Sequence, residues 1–227
     1  NFRKLIAGPT LGVLFPMSIG VLLKQVPDTT ARIGVSGGRV DESAVSKWSM
    51  SPYDEYALES ALRLKEAGGG DVVAITCGPA RAAKMLTDAA AVGADSLMHV
   101  QIDGHDSLDS TQIQSVLAAA LGRAECDVVF CGKQAADTNG GSTGPGVAML
   151  MGASCVSHVS EVSADGGGYL ALRSSSGGNE RVHVSAPCVF AFDKGSEELR
   201  RPNVRGIMMA KKKAIETVSP EDLGVSI

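Results

Sequence analysis

A chain of 227 residues can bury a sizeable core, as one large α/β unit or two small ones. A formal charge of -4 and a pI of about 5.6 exclude the broad basic surface that general nucleic-acid binding needs. Cys77, Cys126, Cys131, Cys155 and Cys188 are odd in number and form no CxxC pair, which suits reduced thiols in a reducing compartment. The four histidines lack ligand spacing, so no metal site is expected.

Residues 1–16, NFRKLIAGPTLGVLFP, differ in kind from the rest. Gly8, Pro9, Gly12 and Pro16 interrupt the apolar run, so no membrane insertion is expected. They read as an N-terminal extension or leader remnant ahead of a natural start at Met17. Ile19–Leu23 then forms a first buried strand, ended by Lys24–Asp28 with Pro27 at the turn. A polar excursion holds a small hairpin around Gly37-Gly38.

Ser51-Pro52-Tyr53-Asp54 starts a helix, with Ser51 as N-cap, Pro52 at the first position and Asp54 completing a capping box. Tyr53, Ala57, Ala61 and Leu64 share its apolar face, and Glu59 pairs with Arg63 on the outside. Asp71–Cys77 is a strand, Ala80–Val92 a helix, Ser96–Ile102 a strand and Leu108–Arg123 a helix. Strands separated by helices imply parallel pairing and right-handed crossovers, hence a doubly wound, mostly parallel sheet. After residue 155, Val156–Val162, Tyr169–Ser174 and Arg181–Val184 alternate apolar with polar, which predicts an added antiparallel segment in the C-terminal third. Val189–Phe192 is a last buried strand before an exposed loop, Lys211–Lys213 and a short strand at Ala214–Val218.

Val128–Gly144 organises the rest. A buried strand, Val128–Cys131, breaks into Gly132-Lys133-Gln134-Ala135, then Asp137-Thr138-Asn139-Gly140-Gly141-Ser142-Thr143, and a helix begins near Pro145. Glycines admit a close ligand, and free N–H groups at a helix start favour an anion. The stretch reads equally as a phosphate cradle and as an ordinary strand-to-helix loop. In parallel sheets ligands collect beyond the C-terminal strand edge, where Lys24–Asp28, Cys77-Gly78-Pro79 and Gly132–Thr143 converge.

Five segments carry a family resemblance: Ile19–Thr29, Ser49–Glu66, Thr76–Asp95, Gly132–Gly144 and Arg205–Glu216. Their order and spacing resemble the β subunit of electron transfer flavoprotein, from about Ile19 to the end. The resemblance implies one Rossmann-like, adenine-nucleotide-binding unit over residues 17–218, with residues 219–227 the start of a truncated linker or arm. It implies AMP in this chain, lined by Leu22, Ser51, Pro52, Tyr53, Asp54, Cys77 and the loop from Gly132 to Thr143. It implies FAD held mainly by an α subunit, and flavoprotein dehydrogenases as partners, such as the acyl-CoA dehydrogenases of fatty acid β-oxidation. A recognition loop over residues 200–209 would present Val204, Arg205, Ile207 and Met208. The chain would then be an electron-carrier subunit without a catalytic centre, in bacterial cytoplasm or the mitochondrial matrix.

Two alternatives stand beside it, a bifurcating β subunit with its own FAD and a nucleotide-binding regulatory module. Bifurcating relatives tend to carry DGDTAQVGP where this loop reads ADTNGGSTGP. Read without the resemblance, Ser51-Pro52-Tyr53-Asp54 is a helix cap, Cys77 a small core residue and Trp48 a packing anchor.

Overall fold

The computed structural model describes residues 18–195 and 197–227, so the expectations for residues 1–16 and for Met17 lie outside the described residues. In chain order the elements are β1 (Ser18–Leu22), β2 (Gln25–Pro27), β3 (Gly34–Ser36), β4 (Arg39–Asp41) and β5 (Trp48–Met50). Then come α1 (Pro52–Leu64), β6 (Asp71–Gly78), α2 (Ala83–Val92), β7 (Ser96–Gln101), α3 (Ser110–Arg123), β8 (Cys126–Gly132) and α4 (Thr143–Met151). The last are β9 (Ser154–Asp165), β10 (Gly168–Ser175), β11 (Gly178–Val184), β12 (Cys188–Phe192), α5 (Val204–Ala210) and β13 (Glu216–Val218).

Nine strands form one sheet in the order β11-β10-β9-β12-β8-β1-β6-β7-β13. The pairs from β9 to β13 are parallel, while β9-β10 and β10-β11 are antiparallel. The doubly wound architecture is therefore present, and the antiparallel segment extends the main sheet. Helices cover both faces. α1 and α2 pack on Ile19, Val21, Ala74, Phe130 and Phe190, while α3 and α4 pack on Leu22, Ile75, Val129 and Val189. Such double coverage explains why the central strands read as unbroken apolar runs.

Three local readings are corrected. α3 starts at Ser110, two residues later than Leu108, because Asp109 and Gln112 form a reciprocal capping box. The helix after the loop begins at Thr143, ahead of Pro145. Within the stretch 200–209, read as a loop, Val204 begins the helix α5: Asn203 caps it by accepting the Gly206 N–H at 2.7 Å. Gly206 sits inside that helix because α5 lies close on α2, where a Cβ would collide with the Ala91 carbonyl.

Candidate functional site

The chain winds from β1 to β6 and β7 in one direction, then returns to the other side of β1 with β8. β1 and β8 therefore flank the reversal point, where open α/β sheets bind ligands. Their C-terminal ends are held together by Asp54. Its Oδ2 accepts the Lys24 N–H at 2.7 Å and its Oδ1 accepts the Gly132 N–H at 2.9 Å. The capping-box expectation is corrected accordingly: the Ser51 N–H donates to the Lys24 carbonyl, and the Asp54 carboxyl serves two strands instead. Burial pushes that carboxyl up to about 7, against the pull of the two N–H donors and of Lys24. Glycine is required at 132, since a Cβ there would collide with Asp54 Oδ1 and lie 2.7 Å from Tyr53 Cβ.

The loop that follows is folded on itself. The Asn139 N–H donates to the Ala135 carbonyl at 2.9 Å, and Gln134 Nε2 donates to Asn139 Oδ1 at 2.8 Å. Asn139 and Gly141 take left-handed backbone at φ 52 and 66, as their residue types allow. Asp137, Thr138, Asn139, Gly140 and Gly141 are exposed, while Gln134, Ala135, Ser142 and Thr143 are half-buried. Among the described residues the Ser142 and Thr143 side chains have no hydrogen-bond partner, and Ser142 provides no side-chain cap to α4. Gln114 of α3 supports the Ser142 carbonyl at 3.1 Å.

Two lysines border this loop. Lys24 Nζ meets Asp137 Oδ1 at 2.8 Å, tying the loop to the end of β1. Lys133 Nζ meets Asp193 Oδ2 at 2.7 Å and lies 5.1 Å from the centroid of the Tyr53 ring.

The predicted lining is thus brought to one edge, with unequal access. Leu22 is buried at the end of β1, in register with Cys131 and Ile75. Ser51 is fully buried, and its Oγ has no hydrogen-bond partner among the described residues. Pro52 occupies the first turn of α1. Cys77 is half-buried against the α3 side of the core, and burial pushes its thiol up to about 12, so it is not a ready nucleophile. Trp48 carries the Arg81 guanidinium 3.5 Å from its ring centroid, and Arg81 also donates to Gln25.

The proposed recognition residues lie elsewhere. α5 packs on the C-terminal end of α2, at the N-terminal edge of the strands and opposite the loop. Val204 is 75% exposed, and Ile207, Met208 and Met209 are exposed with it. Arg205 is also exposed. Arg200 faces inward: its Nε donates to Glu59 Oε2 at 2.8 Å and its Nη1 to Glu66 Oε1 at 2.7 Å. Glu59 is only 4% exposed, which corrects its placement on the outer face of α1. Two surface hollows lie away from the loop, one beside Tyr56, Glu59 and Arg63, the other between Ala91 and Met209.

Sequence reasoning missed Gln114, Asp193 and the long reach of Asp54. No local pattern signals them, since each partner lies 28 to 78 residues away.

A sequence model of the electron transfer flavoprotein domain matches residues 40–223. The electron transfer flavoprotein subunit beta of Mus musculus is 36% identical over 214 residues, covering 91% of this chain and 83% of that protein. The subunit of the same name from Homo sapiens is 34% identical over 211 residues, covering 91% and 83%. That of Bacillus subtilis is 33% identical over 208 residues, covering 91% and 80%.

Proposed function

Because the chain belongs to the electron transfer flavoprotein β-subunit family, we propose that it is the AMP-holding half of a heterodimeric electron carrier. In this reading an α subunit carries the redox-active FAD, and flavoprotein dehydrogenases deliver electrons to it. The chain itself performs no bond-making chemistry. Its work is to hold the nucleotide, to dock the α subunit and to present α5.

One observation carries the nucleotide assignment. The glycine-hydroxyl loop starts at the reversal point of the sheet, folds through left-handed Asn139 and Gly141, and ends at a helix start with two hydroxyls that have no partner among the described residues. Those features suit a phosphate: backbone N–H groups and hydroxyls donate, and the helix start favours negative charge. Lys133 adds two ammonium N–H donors beyond the one directed at Asp193. The recognition role of Val204, Arg205, Ile207 and Met208 draws on their exposure, with a small apolar knob at Val204 between Arg201 and Arg205.

The test is extraction of nucleotide from heterodimer purified after co-expression with an α subunit. AMP at one equivalent, with flavin absorbance dependent on the α subunit, is the expected result. Reducible FAD bound by this chain alone would replace the reading with the bifurcating one. Hydrolysed ATP without flavin would favour a regulatory module.

A further inference from the structure

β9 carries a bulge where it meets β12. Ala191 pairs with Ser157 and Phe192 with Val159, so His158 is the extra residue. Its φ is +59, the left-handed region that a non-glycine residue enters at a cost. The fold gains a particular contact from this turn: His158 Nδ1 lies 3.5 Å from Asp193 Oδ2, just past the end of β12. The Asp193 N–H closes the bulge by donating to the Val159 carbonyl at 2.8 Å.

The same oxygen receives Lys133 Nζ, and Asp193 Oδ1 accepts the Lys194 N–H at 2.8 Å. The Lys133 N–H is itself fixed on the Phe192 carbonyl at 2.6 Å. Lys133 is therefore held at backbone and head, at the root of the loop, with the Tyr53 ring beside its ammonium. Bordered by the His158 ring at Oδ2 and by the Lys194 N–H at Oδ1, the Asp193 carboxylate that holds the Lys133 ammonium is itself fixed in place.

We propose that His158 and Asp193 are positioning residues that aim Lys133 at the phosphate of a nucleotide held by the Gly132–Thr143 loop. The assignment rests on the nucleotide reading above and names groups that reading does not use. His158 itself touches no ligand. It acts through Asp193, and its left-handed backbone is the strain retained for that contact.

This arrangement predicts opposite signs for stability and binding, which a purely structural residue would not give. In the heterodimer, His158→Gly removes the strain, and His158→Asn keeps a residue tolerant of left-handed backbone while removing the ring. Both should keep a melting temperature at or above that of the parent protein, while AMP affinity measured by calorimetry falls about fivefold, as for a weakened charge-assisted contact. If AMP affinity is unchanged in both variants and the melting temperature falls, His158 is a strand residue only and the assignment is wrong. If the parent heterodimer binds no AMP at all, the nucleotide reading fails first and this assignment falls with it.

Discussion

At the C-terminal edge of the strands, one buried carboxylate holds backbone in place: Asp54 grips the N–H groups of Lys24 and Gly132 across 30 and 78 residues of sequence. At the opposite edge, a charged pair holds a segment in place: Arg200 forks onto Glu59 and Glu66 and brings residues 197–203 down along α1 toward α5. The first device positions glycine backbone at the root of the loop. The second positions a helix whose apolar side chains stay in solvent. The edge proposed for a small charged ligand is therefore set by main chain, and the edge proposed for a protein partner is set by side chains. α1 serves both, with Asp54 in its first turn and Glu59 further along.

Removing Asp54 should break the first region most severely. Asp54→Ala strands two N–H groups, one of them in a fully buried bond, and is expected to cost roughly 2–6 kcal/mol in urea unfolding with loss of bound nucleotide. A stability loss under 1 kcal/mol would mean that water replaces the carboxylate freely.

The same residue gives a pH signature. Its folded value of about 7 lies above the ordinary 3.8, so the folded state binds the proton more tightly. Stability from this group is therefore greatest below about pH 4, falls as pH rises to about 7 and is flat beyond, by on the order of 4 kcal/mol in total. The difference in unfolding free energy between the parent and Asp54→Asn isolates that slope from carboxylates of opposite sign such as Asp28. Parallel profiles across the window would show that the carboxyl titrates normally.

In the second region, Arg200→Ala leaves the buried Glu59 with Arg63 as its remaining cation. The expected loss is about 2 kcal/mol, below the full cost of breaking a buried pair because the guanidinium is partly exposed. Nucleotide content should persist. Loss of AMP together with stability would show that the two edges are one cooperative unit.

Val204→Ala should be the mildest, within about 0.5 kcal/mol in stability because the side chain is 75% exposed. Electron transfer from a dehydrogenase should nonetheless slow at subsaturating concentration. A normal rate would remove Val204 from the docking surface.

The alternation of strands and helices was readable because buried strands and amphipathic helices impose different periods, and the doubly wound sheet follows from that alternation. The loop at residues 132–143 was readable from its glycines and hydroxyls. What stayed hidden is long-range. Asp54 sits where a capping box would put a carboxylate, and only the juxtaposition of β1 and β8 redirects it. Glu59 has its i,i+4 arginine as expected, yet it also holds Arg200, 141 residues away. Asn203 and Gly206 lie in a stretch read as a loop, but Asn203 is a cap and Gly206 answers to α2. His158 looks like any alternating strand residue, because a bulge is a property of register and not of composition.

Gly206 divides α5 into positions of unequal steric freedom. The site where Ala91 presses on the helix admits no side chain, while Val204 and Met208, each about half a turn away, touch mostly solvent. Substitutions at the outward residues should therefore leave the seat of the helix intact, whereas any side chain at 206 would push α5 off α2.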